Sequence, residues 1–391
     1  MLAALSAPAL ALASCGAEKA GAETGESAQT AAARDDAPYA VSEVASFEEP
    51  WAIAFAPGTQ MLFVTEKAGQ IKVIDIASGK VGTVAGAPDV AYGGQGGLGD
   101  VAFLPAEAGA PLNGRTIYLS WAEAGDGDTR GAAVGRGTLA CTAVDACAVE
   151  GLSVIWRQTP KVSGRGHYSH RILVSPDGQH LFIASGDRQK MSPAQDTANT
   201  LGSIVRLNLD GTPAAGNPMA DASNTGGGGA TAEIWSYGHR NILGMDWDAQ
   251  GRLWEVEHGP AGGDELNLVK PASNYGWPVR SDGDHYNGDA IPDHAASDGF
   301  AHPALSWNPV IAPGDMLIYS GDMFAAWKGL ALIPGLSTQA LVAVTIDGES
   351  AREAARYEFD NRLRSIAQGP DGAIWIAEDG KGAKLLKLTA R

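Results

Sequence analysis

A chain of 391 residues has room for two ordinary domains or one large all-β domain. Its 45% hydrophobic content, with 51 Gly and 21 Pro, is that of a turn-rich globule and excludes a wholly disordered chain. A formal net charge of −17 argues against nucleic acid and anionic lipid as surface partners, since both require a basic patch, and suits the handling of neutral or cationic small molecules.

The first stretch, MLAALSAPALALASCGAEKAG, is an apolar run of signal-peptide length, too short for a stable bilayer span. Its end, Leu12-Ala13-Ser14-Cys15, resembles the bacterial lipobox, which is cut before a cysteine that then carries lipid. Residues 1–14 are therefore expected to be a lipoprotein signal peptide. Residues 15–38, rich in Ala, Gly, Glu and Ser without apolar periodicity, are expected to be a disordered tether. The prediction is a periplasmic protein attached to the membrane only through Cys15. Cys141 and Cys147, six apart in CTAVDAC, suit a local disulfide in that compartment, which leaves Cys15 as the odd cysteine.

From residue 39 to 391 the sequence repeats. Six copies each give an apolar run, a turn, a second run and, after a loop, a third. Their leading segments are PWAIAFAPGTQMLFVTEKAGQIKVIDI, GGLGDVAFLPAEAGAPLNGRTIYLSWA, HRILVSPDGQHLFIASGD, NILGMDWDAQGRLWEVEHG, GDMLIYSGDMFAAWKGLALIPG and RLRSIAQGPDGAIWIAEDG, the fifth being the most degraded. Pro/Asp-Gly turns between short β-rich runs signal hairpins. The copies lie roughly 45–75 residues apart, as propeller blades do. Helical periodicity is nearly absent. The expected architecture is a single all-β domain, a six-bladed β-propeller.

Polar residues gather in the loops that would meet over the central channel. They are GGQGG at 93–97, GRGHYSHR at 164–171, SYGHRN at 236–241, the stretch EVEHGPAGGDELNLVKPASNYGWP from Glu255, and NRLR at 361–364. Gly94-x-Gly96-x-x-Gly99 matches a dinucleotide fingerprint, but it precedes a strand rather than a helix and is set aside. A lone His such as His167 is more often a satisfied turn residue than a base, and a pair such as Arg362 and Arg364 is usually a solvated strand face. Converging on one mouth in an acidic protein, however, they would form a local positive well, the setting for a small polyanion.

Taken in order, GGQGGLGDVAFLP, AQDTANTLGSIVRLNLDGT, YGHRNILGMDWD, GPAGGDELNLVKPASNYGWP and RLRSIAQGPDG resemble the loops of the soluble pyrroloquinoline-quinone (PQQ)-dependent sugar dehydrogenases, over nearly the whole mature chain. The short inserts are closer to the aldose type than to the glucose-specific type. The resemblance implies oxidation of an aldose at its anomeric carbon to an aldonolactone, with PQQ and Ca²⁺ as cofactors and an external electron acceptor, a periplasmic cytochrome or quinone. It makes His167 the base and sets Arg240 and Asn241 against the quinone. Arg362 and Arg364 pair with cofactor carboxylates, Gln95 lies at the sugar, and Trp307 lies beside cofactor and sugar. The carbonyls of Gly259 and Pro260 bind the catalytic Ca²⁺. Glu265 and the carbonyl of Tyr275 bind a structural Ca²⁺, which Asp282 or Asp284 completes.

These roles agree with the chemistry. Guanidinium forks bind carboxylates bidentately, Ca²⁺ takes oxygen ligands, and a neutral imidazole is a suitable base near pH 7. Two departures stand out. The family's fifth-blade Lys on the cofactor corresponds to Ser337, with Lys328 as a substitute, and the glutamine before its Gly-Pro pair is His258. Two other readings share the fold. A Ca²⁺ lactonase would require axial carboxylates and no arginine pair, and a non-catalytic binding propeller would dispense with His167 and Arg240.

Overall fold

The structure, a computed structural model, describes residues 37–220 and 230–391; the expected signal peptide, Cys15 and the tether up to residue 36 lie outside the described residues. Residues 37–391 form one compact unit of six four-stranded blades. Three of the hairpins share one turn chemistry and a fourth uses a related one. In SPDGQ, DAQGR and PDGA an aspartate Oδ1 accepts the backbone N–H two residues on (Asp177 from Gln179, Asp248 from Gln250, Asp371 from Ala373), and in APGTQ the Thr59 hydroxyl donates to Ala56 O. The glycine of each turn (58, 178, 251 or 372) has φ between 69° and 83°, where a Cβ would be strained.

Blade 1 is Pro50–Phe55, Met61–Glu66, Gln70–Asp75 and Lys80–Ala85; blade 2 is Leu98–Phe103, Thr116–Ala124, Thr129–Ala143 and Ala146–Arg157. Blade 3 is Ser169–Val174, His180–Ser185, Ser203–Asn208 and Ile234–Tyr237; blade 4 is Ile242–Trp247, Leu253–Glu257, Asp264–Val269 and Leu305–Trp307. Blade 5 is Leu317–Ile318, Ala331–Pro334, Ala340–Asp347 and Ser350–Glu358. Blade 6 takes Leu363–Gln368, Ile374–Glu378 and Ala383–Ala390 from the end of the chain and its fourth strand, Tyr39–Phe47, from the beginning. That last pairing is antiparallel, from Tyr39 opposite Ala390 to Phe47 opposite Ala383. Cys141 and Cys147 are disulfide-bonded across the long hairpin of blade 2.

The core is divided among the blade interfaces. Phe63 and Ile71 meet Leu119 and Trp121 between blades 1 and 2, and Tyr118 and Trp156 meet Ile183 between blades 2 and 3. Phe182 meets Ile242, Trp254 meets Ile333, Leu341 meets Ile376, and Trp375 meets Ile53 at the remaining four. Blades pack face to face because each strand's alternate residues must leave water on both sides of the sheet.

At the axis one guanidinium contacts residues of four neighbouring blades and is linked to the sixth through Asp315. Arg171, in blade 3, donates to Leu243 O of blade 4 (2.5 Å) and to Gly314 O before blade 5 (2.8 Å). It pairs with Asp100 of blade 2 (3.4 Å) and with Asp315 (3.3 Å), and it lies 4.1 Å over the Trp51 ring of blade 1. Asp315 in turn accepts from Ser365 Oγ of blade 6 (2.6 Å).

Candidate active site

In four blades the second strand runs out into an acid, namely Glu66, Asp187, Glu257 and Asp379. Each acid holds the segment around the start of its own blade's first strand. Glu66 accepts from Glu48 N (2.8 Å), and Asp187 pairs with His167 Nδ1 (2.7 Å). Glu257 accepts from the backbone N–H groups of Arg240 (2.5 Å) and Asn241 (3.2 Å), and Asp379 from Arg362 Nε and Arg364 Nε (both 2.9 Å). Buried carboxylates require such donors, and here the same requirement positions His167, Arg240, Asn241 and the arginine pair.

His167 is buried, with φ 47°. Asp187, which the sequence reading missed, also accepts from Trp277 Nε1 (2.8 Å) and Gln189 N (2.8 Å). Burial would raise its pKa, but the bonds from His167 and Trp277 prevail and hold it below the usual range. With an ionised acceptor at Nδ1, the proton sits there and Nε2 keeps its lone pair. Burial lowers the His167 pKa and the nearby Arg240 charge adds to this, against the opposing pull of Asp187, so the ring is neutral near pH 7. Gln95 touches this histidine, its Oε1 accepting from His167 N (2.6 Å).

The Arg240 guanidinium lies 5.1 Å over the Trp277 ring and donates to His258 O (2.9 Å) and to the Tyr286 hydroxyl (3.1 Å). Its buried Nε has no acceptor. Asn241 Oδ1 accepts from Ser169 Oγ (3.4 Å). His258, with its Nε2 2.7 Å from Pro313 O, is pushed down to about 3 chiefly by burial and then by Arg240 and Arg364, so it stays neutral.

The acids under the Gly-Pro bend have separate tasks. Asp264 braces the bend, accepting from Gly259 N (2.9 Å) and Ala312 N (2.6 Å). Gly259 has no room for a side chain, since a Cβ there would lie 2.2 Å from the carbonyl oxygens of Gly262 and Gly263. Glu265 belongs to a buried group with Glu255, Glu257, Asn267 and His239. Burial, then the neighbouring Glu257, pushes Glu255 and Glu265 up. His239 is raised to about 9 by Glu255 and Glu257 although burial opposes this. Two of these acids, Glu255 and Glu257, face the His239 ring, and Glu255 Oε2 and Asn267 Oδ1 have no donor at all. An ion-sized gap of about 10 Å³, lined by Glu257, Gly259, Glu265 and Tyr275 and also by Arg240 and Arg280, adjoins them. This oxygen-rich, electron-rich set fits Ca²⁺.

Beside it opens a cavity of about 300 Å³, at the lower end of the roughly 300–1,000 Å³ of small-molecule sites. Gln95, Asn241, His258, Arg362 and Arg364 line it together with Lys67. Lys67 Nζ donates to Gly94 O (3.0 Å) and lies 3.9 Å from Glu49. The sequence reading missed it because a lysine at a strand end looks like a solvated charge. Three cations and two acids, Glu49 and Asp379, line the cavity, and the cation excess suits a compact polycarboxylate, as PQQ is.

Several predicted residues do not line this cavity: His167 adjoins it through Gln95, Arg240 lines the smaller gap, and six others lie elsewhere. Trp307 is in the fourth strand of blade 4, packed against blade 5 with its indole N–H on Glu353 (2.9 Å), and does not line the cavity; its buried ring serves a blade interface. Lys328 pairs with Asp322 (2.6 Å) at a different depression, so it does not stand in for the lysine missing at Ser337. Ser337 is exposed, following the cavity residue Leu336, and donates to Val310 O (3.2 Å). Pro260 is buried in the bend. Asp282 and Asp284 flank Gly283, which pairs with Gly262, and Asp282 lies near enough to Glu265 to raise it further.

A family model described as Glucose / Sorbosone dehydrogenase matches residues 47–387. Aldose sugar dehydrogenase YliI of Escherichia coli (strain K12) is 35% identical over 349 residues, covering 88% of this chain and 91% of that protein. Among solved structures, the crystal structure of a glucose dehydrogenase is 36% identical with a TM-score of 0.82, over 90% of this chain and 100% of that one. The PQQ-bound aldose sugar dehydrogenase of Streptomyces coelicolor is 25% identical with a TM-score of 0.72, over 90% and 98%.

Proposed function

The chain belongs to the glucose/sorbosone dehydrogenase family, and on that basis we propose that it oxidises aldoses at the anomeric carbon to aldonolactones, using PQQ and Ca²⁺. The observation that carries this reading is a neutral, Asp187-oriented His167 next to a cavity ringed by Arg362, Arg364 and Lys67. Bound there, PQQ would supply an ortho-quinone able to accept a hydride, with Ca²⁺ as a Lewis acid.

The protein's own residues divide the remaining work. His167 Nε2 takes the proton of the anomeric hydroxyl, and Asp187 stabilises the imidazolium that results. Arg240, whose buried Nε lacks an acceptor, offers that donor to charge developing on an oxygen beside it. Arg362, Arg364 and Lys67 would hold the cofactor's carboxylates, and Gln95, which accepts from His167 N and lines the cavity, would contact the sugar. The carbonyls of Gly259 and Pro260 would hold the catalytic calcium, and Glu265 with the carbonyl of Tyr275 a separate structural one.

Adding PQQ and excess Ca²⁺ to purified apoprotein should give aldose-dependent bleaching of a redox dye, which stands in for the external acceptor. No bleaching with any aldose would overturn the assignment. Lys67→Met should raise the half-saturating PQQ concentration about 10- to 100-fold, the worth of one charge-assisted hydrogen bond. Fluorescence titration of apoprotein in excess Ca²⁺ checks this.

We further propose a periplasmic location with a lipid on Cys15. Cys15→Ser should then move the protein from the membrane to the soluble fraction with unchanged specific activity. An unchanged membrane fraction would refute the anchor.

A further inference from the structure

Between the third and fourth strands of blade 4, away from the cavity, three potential ligands recur at every fourth position, His294, Asp298 and His302. One ligand atom from each lies within 4.8 Å of the others. His294 Nδ1 is 3.5 Å from Asp298 Oδ2, and His302 Nε2 is 3.1 Å from Asp298 Oδ1. The His294 side chain is only 5% exposed, yet neither of its ring nitrogens has a hydrogen-bond partner. A buried imidazole ordinarily secures at least one partner, so this one is arranged for something else.

We propose that His294, Asp298 and His302 form a second metal site, selective for a borderline-soft divalent ion such as Zn²⁺. Two imidazoles and one carboxylate suit zinc, whereas the neighbouring all-oxygen set suits calcium. The surroundings agree. The backbone N–H groups of Ala295 and Phe300, each 3.0 Å from Asp298, fix that carboxylate in place. His294 Nε2 faces Glu265 Oε1 at 4.0 Å, beyond hydrogen-bond length, so a metal on Nδ1 would leave a carboxyl group on the far side of the ring. His302 is partly exposed and leaves an entry path. The competing cation is Arg280, whose Nε lies 3.4 Å from Asp298 Oδ2 without forming a hydrogen bond, so a metal would displace that ion pair and the 3.1 Å hydrogen bond between His302 Nε2 and Asp298 Oδ1.

Equilibrium dialysis of the full chain against Zn²⁺ in excess Ca²⁺, with Co²⁺ as a visible-absorption probe, tests the site. About one zinc per chain should be retained, with the absorption of nitrogen-ligated cobalt. His302→Gln, at an exposed position where folding is not at stake, should weaken binding roughly tenfold or more, and His294→Gln should do likewise. Because His302 takes no part in sugar oxidation, its variant should keep wild-type turnover. Absence of zinc from the wild type, or retention undiminished in both histidine variants, would overturn the proposal.

Discussion

His167→Ala is expected to lower kcat/KM for aldoses by about 10²–10⁴-fold while the PQQ titration midpoint stays near that of the wild type, because only proton abstraction is removed. Asp187→Asn should cost nearly as much despite leaving the imidazole in place. An amide at that position can offer a donor to Nδ1, which would put the ring proton on Nε2, where the lone pair is needed. The pH profiles separate the two roles. His167 acts when deprotonated, and burial has lowered its pKa, so the acid limb of wild-type kcat/KM should lie below the ordinary histidine value of about 6.5. Removing the Asp187 charge, which pulls that pKa upward, should move the limb lower still while the plateau falls. A limb that moves to higher pH in Asp187→Asn would refute the pairing.

Arg171→Leu is expected to destabilise the fold by about 3–5 kcal/mol, because it strands two buried carboxylates that now share one guanidinium. Burial already raises Asp100 to about 6 and raises Asp315, with Arg171 opposing in both cases. Without the arginine both should rise further. A carboxyl whose folded pKa exceeds its unfolded value binds more protons when folded, so stability falls as pH rises from the unfolded pKa through the folded one. The wild type should therefore lose a little stability between about pH 4 and 6 from Asp100, and the variant should lose more over a window that extends higher. Urea melts at several pH values would show this. Equal deficits at low and neutral pH would mean that the arginine acts by packing alone.

The repeat of hairpins was legible because its turns are chemical. An Asp whose side chain caps the backbone and a glycine at positive φ leave a mark in any sequence. The closing strand Tyr39–Phe47 left none: its two ends are buried but its middle is largely exposed, so alternation is lost. The first strand of blade 5 is only Leu317–Ile318, too short to carry a period. In the site, His167, Arg240 and the arginine pair were visible as unusual residues in loops, but Asp187 was not, since SGDRQ reads as an ordinary turn. Aligning the ends of the second strands, TEK, SGD, VEH and EDG, would have exposed it as one of a set. Trp307 could not be resolved this way, because an aromatic that faces a cavity and one that faces a neighbouring blade have the same hydrophobicity.

The partnership of Tyr39–Phe47 with Ala383–Ala390 also sets a timetable. The first strand leaves the ribosome long before its partner exists, by roughly 20–70 s at about 5–20 residues per second. Through that interval blade 6 is incomplete, Arg171 lacks its Ser365-linked neighbour, and an unpaired strand edge is open to other chains. The native ring is therefore closed late, completed only when the last eight strand residues arrive, and a chain truncated before Ala383 should remain open and prone to aggregate however well its first five blades have formed.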